Sequence, residues 1–315
     1  MRHNDLVKLR TGMEISRFGL GTATLGGLFS SISDENAIST VETALNCGIT
    51  YIDTAPHYGK GTSERRLAKA LAGKRNFHLS TKIGRLLIPA VNSLDSDFAD
   101  SDTHVARIFD YSASGVERSI KESLERLEMD YVDIIYIHDP DDDIYVEQSI
   151  KEAYPALEKM RNQGVIKAIG VGMNQSAVPT RFINETDIDM VLIAGRYTLL
   201  DQSAAHDLLP AALKRGVDVI AAGVFNSGIL ANPVVGATYD YLPAPTAILS
   251  KALRIQEILR SHGVSITSAA LQFPLRHPSV KAVLVGCRSS QEVIDNTEAF
   301  DDQIPEFIWQ ELAQC

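Results

Sequence analysis

Amphipathic stretches of roughly ten to fifteen residues alternate along this chain with short runs of β-branched and other apolar residues. This alternation is typical of βα units that build a parallel sheet. Glycine marks three boundaries, where an amphipathic stretch ends at Gly48, Gly164 or Gly216 and an apolar run begins at once. Because glycine suits the left-handed position just past a helix end, each boundary predicts a helix, its cap and a strand in series.

The same pattern predicts eight strands, at residues 18–24, 50–55, 78–83, 132–138, 166–173, 190–197, 217–224 and 282–287. Helices are predicted at 34–46, 63–72, 113–128, 147–162, 176–184, 203–214, 247–262, 290–299 and 305–314. Eight strands, each followed by a helix, predict a (β/α)8 TIM barrel, because a Rossmann fold would have six strands and a composition break before a second domain. We expect residues 1–315 to form a single barrel domain of the α/β class, with a short hairpin at 7–16 over the bottom of the barrel.

Two stretches, 84–112 and 226–246, are too long for simple connections between a strand and a helix. Both follow predicted strands, so we expect both at the C-terminal face, where barrel active sites lie. The first is rich in Ser, Asp and Asn and is predicted to be a mobile surface loop that shapes substrate choice. Shortening it is expected to change substrate preference more than stability.

Composition and charge narrow the classes of function. The 315 residues are 45% hydrophobic and 22% charged, as in soluble globular proteins, and no apolar run reaches the roughly 18 residues of a bilayer span. A net charge of −10 disfavours binding to nucleic acid or an anionic membrane and favours a small-molecule partner. The start MRHNDLVKLR resembles no secretory signal, and the three cysteines form no C-x-x-C pair, so we expect a cytoplasmic protein without a disulfide framework or a structural zinc site.

Four ionisable residues fall at or after the ends of successive predicted strands. Asp53, Lys82 and His138 end strands, and Tyr58 follows Asp53 by five residues. Burying a charge costs free energy unless the charge is paired. A structural Asp53–Lys82 ion pair or a buried His138 would each be ordinary alone. A purely structural role is much less expected for all four residues at one end of the barrel. An ammonium held by a carboxylate is expected to lower the pKa of Tyr58 and make it a general acid or base, with His138 orienting the reacting oxygen.

An anion site is predicted where the last strand meets the next helix. Ser289 and Glu292 make an S-x-x-E capping box, and Arg288 lies beside the N–H groups of that helix start. An ordinary capped helix is the alternative interpretation. The glycine-rich run GLGTATLGG at 19–27 lacks the G-x-G-x-x-G spacing and predicts a tight turn.

The segment YIDTAPHYG at 51–59, with Lys82 and His138, resembles the Asp, Tyr, Lys, His tetrad of the aldo-keto reductase superfamily. The resemblance covers the whole chain and implies NAD or NADP bound in an extended form across the barrel mouth. GRLLIP at 84–89, IYIHDPDD at 135–142 and GVFNSGIL at 223–230 resemble the branch that contains D-threo-aldose 1-dehydrogenase, L-fucose and L-galactose dehydrogenases and pyridoxal 4-dehydrogenase. It implies a cytoplasmic oxidoreductase that oxidises the cyclic hemiacetal of an aldose or pyridoxal to a lactone.

The resemblance also implies which residues touch the ligands. The expected cofactor contacts are Gly21, Thr22, Asp53, Asn174, Gly223, Val224, Phe225, Asn226, Ser227, Leu230, Gly286, Arg288, Glu292 and Asn296. The expected substrate contacts are His57, Tyr58, Arg85 and His138. The chain departs from the family at Gly172, Ala194 and Ala222, so the contact to the carboxamide moves to Asn174 and Phe225 becomes the expected apolar neighbour of the nicotinamide ring.

NAD is expected rather than NADP, whose additional phosphate needs basic side chains. Arg288 is the sole basic residue from Gly286 to Asn296, whereas Glu292 and Asp295 are acidic. By the resemblance, Glu292 stands where NADPH-specific members carry an arginine.

Two other classes of function fit parts of the sequence. A metal-dependent barrel hydrolase would use the acidic run after His138, although a second histidine at a strand end is missing apart from His57. A non-catalytic, cofactor-sensing subunit, a role of some aldo-keto reductase relatives, would not need the tetrad. Activity restored by metal after chelation, or turnover of the cofactor, distinguishes these classes.

Overall fold

A computed structural model describes residues 1–314, and eight of its strands close into a parallel barrel. The strands of the described residues are β1 (Leu6–Lys8), β2 (Glu14–Ser16), β3 (Phe18–Gly21), β4 (Tyr51–Asp53), β5 (His78–Ile83), β6 (Arg85–Pro89), β7 (Val105–Phe109), β8 (Ile134–His138), β9 (Ala168–Met173), β10 (Met190–Ala194), β11 (Asp218–Ala222), β12 (Thr238–Tyr239), β13 (Leu242–Pro243) and β14 (Val280–Gly286). The barrel runs β3, β4, β5, β8, β9, β10, β11, β14 and closes from β14 back to β3. The predicted (β/α)8 barrel and all eight of its strands are confirmed.

Helices follow the barrel strands around the outside. Their bounds are α1 (Asp34–Asn46), α2 (Thr62–Leu71), α3 (Ala113–Leu127), α4 (Asp143–Gln148), α5 (Tyr154–Asn162), α6 (Ala177–Glu185), α7 (Leu208–Arg215), α8 (Thr246–Ser261), α9 (Ile266–Gln272), α10 (Ser290–Asp301) and α11 (Glu306–Leu312). The capping glycines Gly48, Gly164 and Gly216 have φ values of 84°, 74° and 66°, which confirms the predicted left-handed caps. No helix within residues 1–314 combines the length and the apolar composition needed to cross a membrane.

The helix predictions need correction in their bounds and in their number. The helix predicted at 203–214 is a 3-10 turn, Ser203–Ala205, followed by α7. The helix predicted at 147–162 begins at Asp143 and contains a π-helical turn, Ser149–Ala153, between α4 and α5. Pro155 lies in the first turn of α5, and the wider turn before it suits a residue that lacks an N–H and whose ring crowds the preceding turn. Helix α9 was not predicted at all.

The predicted N-terminal hairpin is confirmed, since β1 and β2 pair antiparallel. Leu9, Met13 and Ile15 of this hairpin pack in one buried cluster with barrel residues that include Ile134 and Met190, the first residues of β8 and β10. The hairpin therefore closes the N-terminal end of the barrel. The opposite end, where the strands finish, is left for the site.

The segment 84–112 is not the loop that its polar middle predicted. Its ends pair as the antiparallel strands β6 and β7, with Arg85 opposite Phe109 and Pro89 opposite Val105. The tip is tied to the loop and helix after β4: Asp100 pairs with Arg66 at 2.9 Å, and Lys60 Nζ donates to the Ser93 carbonyl at 2.6 Å. The expected mobile loop is corrected to a tethered hairpin.

Candidate active site

The structure brings the four predicted ionisable side chains to the C-terminal end of the barrel. Asp53 and His138 end β4 and β8, and Lys82 is the penultimate residue of β5. Lys82 Nζ lies 2.5 Å from Asp53 Oδ2 and 4.6 Å from the centre of the Tyr58 ring. The rings of Tyr58 and His138 are 6.0 Å apart between centres and almost perpendicular. A carboxylate, an amine, a phenol and an imidazole therefore lie close together at the C-terminal end of the barrel.

The Asp53–Lys82 pair is buried and its remaining polar atoms are satisfied. Both side chains are 1% exposed. Ser80 Oγ donates to the other oxygen of Asp53 at 2.6 Å, and Lys82 Nζ also donates to the Thr54 carbonyl at 2.8 Å. Burial raises the pKa of Asp53 and lowers that of Lys82, and the attraction between the two charges opposes both shifts. The hydrogen bonds to Asp53 and Thr54 fix the Lys82 amine beside the Tyr58 ring.

The pKa of Tyr58 departs from the sequence prediction. Loss of hydration and the nearby carboxylates of Asp53 and Asp139 raise it well above its usual value, and Arg85 opposes this rise. Lys82 directs its hydrogen bonds to Asp53 and Thr54 and lies over the Tyr58 ring. The predicted lowering of this pKa is therefore wrong for this structure, and the phenol is the dominant form near neutral pH.

His138 is 6% exposed, and the cations of Arg85, Lys82 and Arg107 lie near it. Burial is the main cause that places the pKa of His138 well below its usual value, with further contributions from Arg85 and Lys82. The ring is therefore neutral and carries one N–H, which can donate to an oxygen atom.

The two other predicted substrate residues lie beside His138. The His57 ring is 5.6 Å from the His138 ring, and its Nδ1 pairs with Arg107 Nη1 at 2.7 Å. Burial, followed by the charges of Arg85 and Arg107, lowers the pKa of His57 to about 2. Arg85 Nη2 donates to Asp139 Oδ2 at 2.9 Å. Both residues already have protein partners, and neither lines the cavity described next.

A cavity of about 970 Å³ extends from Tyr58 and Asp53 to the start of α10. Most of the predicted cofactor residues line it: Gly21, Thr22, Asp53, Gly223, Val224, Phe225, Asn226, Ser227, Gly286, Arg288, Glu292 and Asn296. Asn174 and Leu230 do not. Asn174 is exposed after β9, and Leu230 packs in a buried cluster with residues such as Leu199 and Ile255.

The side-chain amide of Asn226 shows whether the polar groups of this cavity suit a dinucleotide. Its side chain is 3% exposed, and Nδ2 donates to the Gly195 carbonyl at 3.1 Å. A carbonyl only accepts, so this bond fixes the amide orientation and leaves Oδ1, which finds no partner among the described residues, as a buried acceptor. A ligand with hydroxyl or amide donors would satisfy that oxygen, so the residue fits a nicotinamide dinucleotide.

The far end of the cavity is a capped helix that also presents a cation. Ser289 Oγ accepts from the Glu292 N–H at 3.1 Å, and Glu292 Oε2 accepts from the Arg288 N–H at 2.9 Å. The Glu292 carboxylate therefore reaches one residue before the N-cap, a variation on the predicted capping box. Arg288 Nη1 donates to Ser30 Oγ at 2.7 Å, and its Nε lies 3.7 Å from Glu292.

Comparison with known proteins agrees with this geometry. The model of the Aldo/keto reductase family matches residues 17–315. The chain is 42% identical to D-threo-aldose 1-dehydrogenase of Pseudomonas sp over 313 residues, which cover 96% of this chain and 95% of that protein. It is 37% identical to pyridoxal 4-dehydrogenase of Microbacterium luteolum, covering 96% and 94% of the two chains. The chain belongs to the aldo/keto reductase family.

Solved structures support the fold of this aldo/keto reductase. Aldo-keto reductase AKR11C1 from Bacillus halodurans superposes with a TM-score of 0.79 at 24% identity, covering 99% of this chain and 96% of that one. Glycerol dehydrogenase AKR11B4 from Gluconobacter oxydans gives 0.77 at 24% identity, with coverage of 99% and 94%. These structures show the fold, and the match to the family model shows that the chain is an oxidoreductase of a family that uses nicotinamide cofactors.

Sequence reasoning missed several residues that line the cavity of this aldo/keto reductase. Phe29 and Tyr241 stack at 5.8 Å, and both have positive φ, which their residue types do not predict. Ser265 and Thr267 line the cavity at the start of the unpredicted α9. Ser265 caps that helix by accepting from the Thr267 N–H, so a serine before an apolar run was the available signal. Within residues 1–314, no three His, Cys, Asp or Glu side chains are grouped as metal ligands would be.

Proposed function

We propose that this aldo/keto reductase oxidises the cyclic hemiacetal of an aldose or of pyridoxal to a lactone. The hemiacetal C–H bond would break with its hydride going to bound NAD+, the hydroxyl proton would pass to Tyr58 Oη, and a carbonyl group would form in the substrate. The observation that carries the proposal is the meeting of Asp53, Tyr58, Lys82 and His138 at the C-terminal end of the barrel, where Asp53 and Tyr58 also line the cavity. Similarity to an aldose dehydrogenase and a pyridoxal dehydrogenase supports the substrate class.

In this proposal each residue of the tetrad has one task. Tyr58 Oη takes the hydroxyl proton, and the neutral His138 donates a hydrogen bond to the reacting oxygen and orients it. Lys82, held by Asp53, keeps a positive charge beside the Tyr58 ring. When bound, NAD+ supplies the hydride acceptor; the residues that line the cavity from Gly21 to Asn296 would hold it, with Asn226 Oδ1 accepting one of its donors. His57 and Arg85 flank the substrate beside His138.

The raised pKa of Tyr58 predicts how the rates of oxidation and of reduction depend on pH. Oxidation requires the form of Tyr58 that can accept a proton, and a raised pKa makes that form scarce near neutral pH. Turnover in the oxidation direction is therefore expected to rise with pH above neutrality, whereas reduction of the lactone or aldehyde is expected to fall.

A panel of substrates tests the proposal. The purified protein is incubated with NAD+ or NADP+ and with D-threo and L-galacto aldoses, other aldoses and pyridoxal, and the near-ultraviolet absorbance of the reduced cofactor is followed. We expect reduced cofactor with at least one ring hemiacetal, together with one equivalent of lactone. Turnover confined to open-chain alcohols, or none with any hemiacetal, would contradict the proposal.

We also propose that NAD+ is preferred to NADP+. The support is the engagement of Arg288, whose main-chain N–H and side chain both contact Glu292 while its guanidinium donates to Ser30. An additional phosphate would meet the Glu292 carboxylate, and a ribose hydroxyl could instead donate to it. In this proposal the Glu292 carboxylate repels the phosphate, and its contacts with Arg288 leave that cation less available to bind the phosphate.

Replacing that carboxylate tests the cofactor preference. We predict that Glu292→Arg shifts the ratio of kcat/KM values for NAD+ and NADP+ toward NADP+ by tenfold or more, about 1.4 kcal/mol. Glu298→Arg makes the same charge change on an exposed face of α10 and should leave the ratio unchanged. A wild-type preference of tenfold or more for NADP+ would overturn the proposal.

A cytoplasmic location and a small-molecule partner complete the proposal. Cys47 and Cys287 are unpaired in the described part of the chain, which agrees with a reducing compartment.

A further inference from the structure

Asp139, directly after His138, has an uncommon backbone conformation. Its φ of 43° lies in the left-handed region, which residues other than glycine adopt rarely. Its N–H donates to the Gly172 carbonyl in β9 at 3.0 Å. Tyr111 Oη lies 2.6 Å from the His138 carbonyl and 2.9 Å from the Asp139 carbonyl, so its one O–H is shared between these two acceptors. This peptide segment is therefore held from two sides.

The turn directs the Asp139 carboxylate back toward the His138 ring. Asp139 Oδ2 lies 3.4 Å from His138 Nε2 and accepts from Arg85 Nη2 at 2.9 Å. The Arg85 guanidinium in turn lies over the Phe109 ring, 5.2 Å from its centre. Arg85 begins β6, and Phe109 is its partner in β7, so the stem of the hairpin fixes the arginine.

This arrangement bears on which nitrogen of His138 carries the proton. The ring is neutral, because burial and the charges of Arg85 and Lys82 lower its pKa, and a neutral imidazole carries one N–H whose position depends on its neighbours. Nδ1 is buried and has no hydrogen-bond partner among the described residues, whereas Nε2 faces a carboxylate oxygen. A carboxylate favours the proton on the nitrogen nearest to it.

We propose that Asp139, held by Arg85, is a positioning residue that keeps the proton of His138 on Nε2. Asp139 sets the tautomer, and Arg85 offsets the negative charge that would otherwise favour a charged imidazolium. The 3.4 Å separation is longer than an ordinary hydrogen bond, so the carboxylate attracts the proton to Nε2 and leaves that N–H free to donate to another oxygen. If the proposed hydride transfer is correct, on which this last clause rests, Nε2 is the donor that His138 presents to the reacting oxygen. His138 thus depends on the hairpin stem as well as on its own strand.

The test reads the tautomer directly, with no substrate present. In the full-length protein carrying labelled histidine, the ring nitrogen resonances of His138 are assigned by comparison with His138→Gln. We expect a proton on Nε2 in the wild type and a mixture, or a proton on Nδ1, in Asp139→Asn, because the amide accepts more weakly and can donate to Nε2. Asp142→Asn makes the same change on an exposed neighbour and should leave His138 unchanged. An Nε2-protonated His138 in Asp139→Asn would overturn the inference.

A second variant covers the case in which Asp139→Asn fails to fold. The charged groups that face His138 are Asp139, Arg85, Lys82 from β5 and Arg107 from β7. The neutral titratable groups beside it are His57 and Tyr58. Arg85→Met should raise the pKa of His138, because a cation that opposes protonation of the ring is lost, and an unchanged titration would overturn the inference. For Asp139→Asn we further expect a fall in kcat of about tenfold or more with unchanged affinity for NAD+. A shifted tautomer in a protein that oxidises no hemiacetal would refute the proposed function and leave this inference standing.

Discussion

The ring of Tyr111 fills the space that a side chain at position 84 would need. A Cβ atom on Gly84 would lie 2.1 Å from Tyr111 Cε1, and the φ of Gly84 is +106°, a region that L-residues rarely adopt. Tyr111 is fully buried and its hydroxyl holds the carbonyls of His138 and Asp139. A single glycine therefore allows the contact that fixes the backbone after His138.

We predict that Gly84→Ala lowers the free energy of unfolding by at least about 2 kcal/mol, through backbone strain together with displacement of Tyr111. Gly164→Ala separates the two causes, because Gly164 also has positive φ but a Cβ there would meet no atom within 4 Å. Urea denaturation of both variants gives the measurement. Equal losses of stability would show that the contact with Tyr111 contributes nothing.

At the same scale, the sequence predicted the positions of the tetrad but not the protonation of Tyr58. Asp53, Lys82 and His138 are recognisable because ionisable residues at the ends of buried strands are rare without a function. The pKa of Tyr58 depends on its lost hydration and on the nearby carboxylates of Asp53 and Asp139, and the sequence alone does not show that these groups lie close to the phenol. Phe29 and Tyr241 were missed because the sequence gives no sign that an aromatic residue will adopt a positive φ.

The hairpin formed by β6 and β7 is the element whose role changes most once its contacts are known. Phe98, in its tip, is 4% exposed and lies 5.2 Å from the His57 ring and 6.0 Å from the Tyr58 ring. Asp100 in the same tip pairs with the buried Arg66. Shortening the tip is therefore expected to lower stability as well as change substrate preference, which revises the expectation from the sequence.

A pair of point variants tests both effects of the tip. We predict that Phe98→Ala changes the relative kcat/KM values across the panel of aldoses and pyridoxal and lowers the free energy of unfolding by about 3–5 kcal/mol. Leu94→Ala, at a side chain that is 87% exposed in the same tip, should change neither. Preserved stability and preference in Phe98→Ala would show that the tip is only a surface feature.

Elements with a strong period were predictable, and those set by a few local contacts were not. The barrel strands are apolar runs bounded by glycine, so their number and order followed from the sequence. Helix α9 was missed because it is short and follows closely on α8. The β6–β7 pairing was missed because fifteen residues, 90–104, separate the two strands and their polar composition resembled a loop.

Across the whole molecule, the closed barrel joins residues that lie far apart in the chain. Parallel strands all finish at one end, so Asp53, Lys82 and His138 meet although 85 positions separate the first from the last. The loop after β11 and the start of α10 complete the cavity at the same end. The hairpin of β1 and β2 covers the opposite end. The account therefore places the chemistry at Tyr58 and the binding of the cofactor along the rest of the cavity.

The turnover of Tyr58→Phe, measured together with its affinity for NAD+, tests most directly whether Tyr58 serves the chemistry and the rest of the cavity binds the cofactor. General acid–base catalysis contributes about 10²–10⁴-fold, so the variant should lose at least about a hundredfold in kcat with the best hemiacetal of the panel. Its dissociation constant for NAD+, measured by calorimetry, should stay within about twofold of the wild type, because the phenol oxygen alone is removed. Tyr131→Phe, which removes the same atom from a tyrosine that is 56% exposed, should behave as the wild type. Near-normal turnover in Tyr58→Phe would contradict the account.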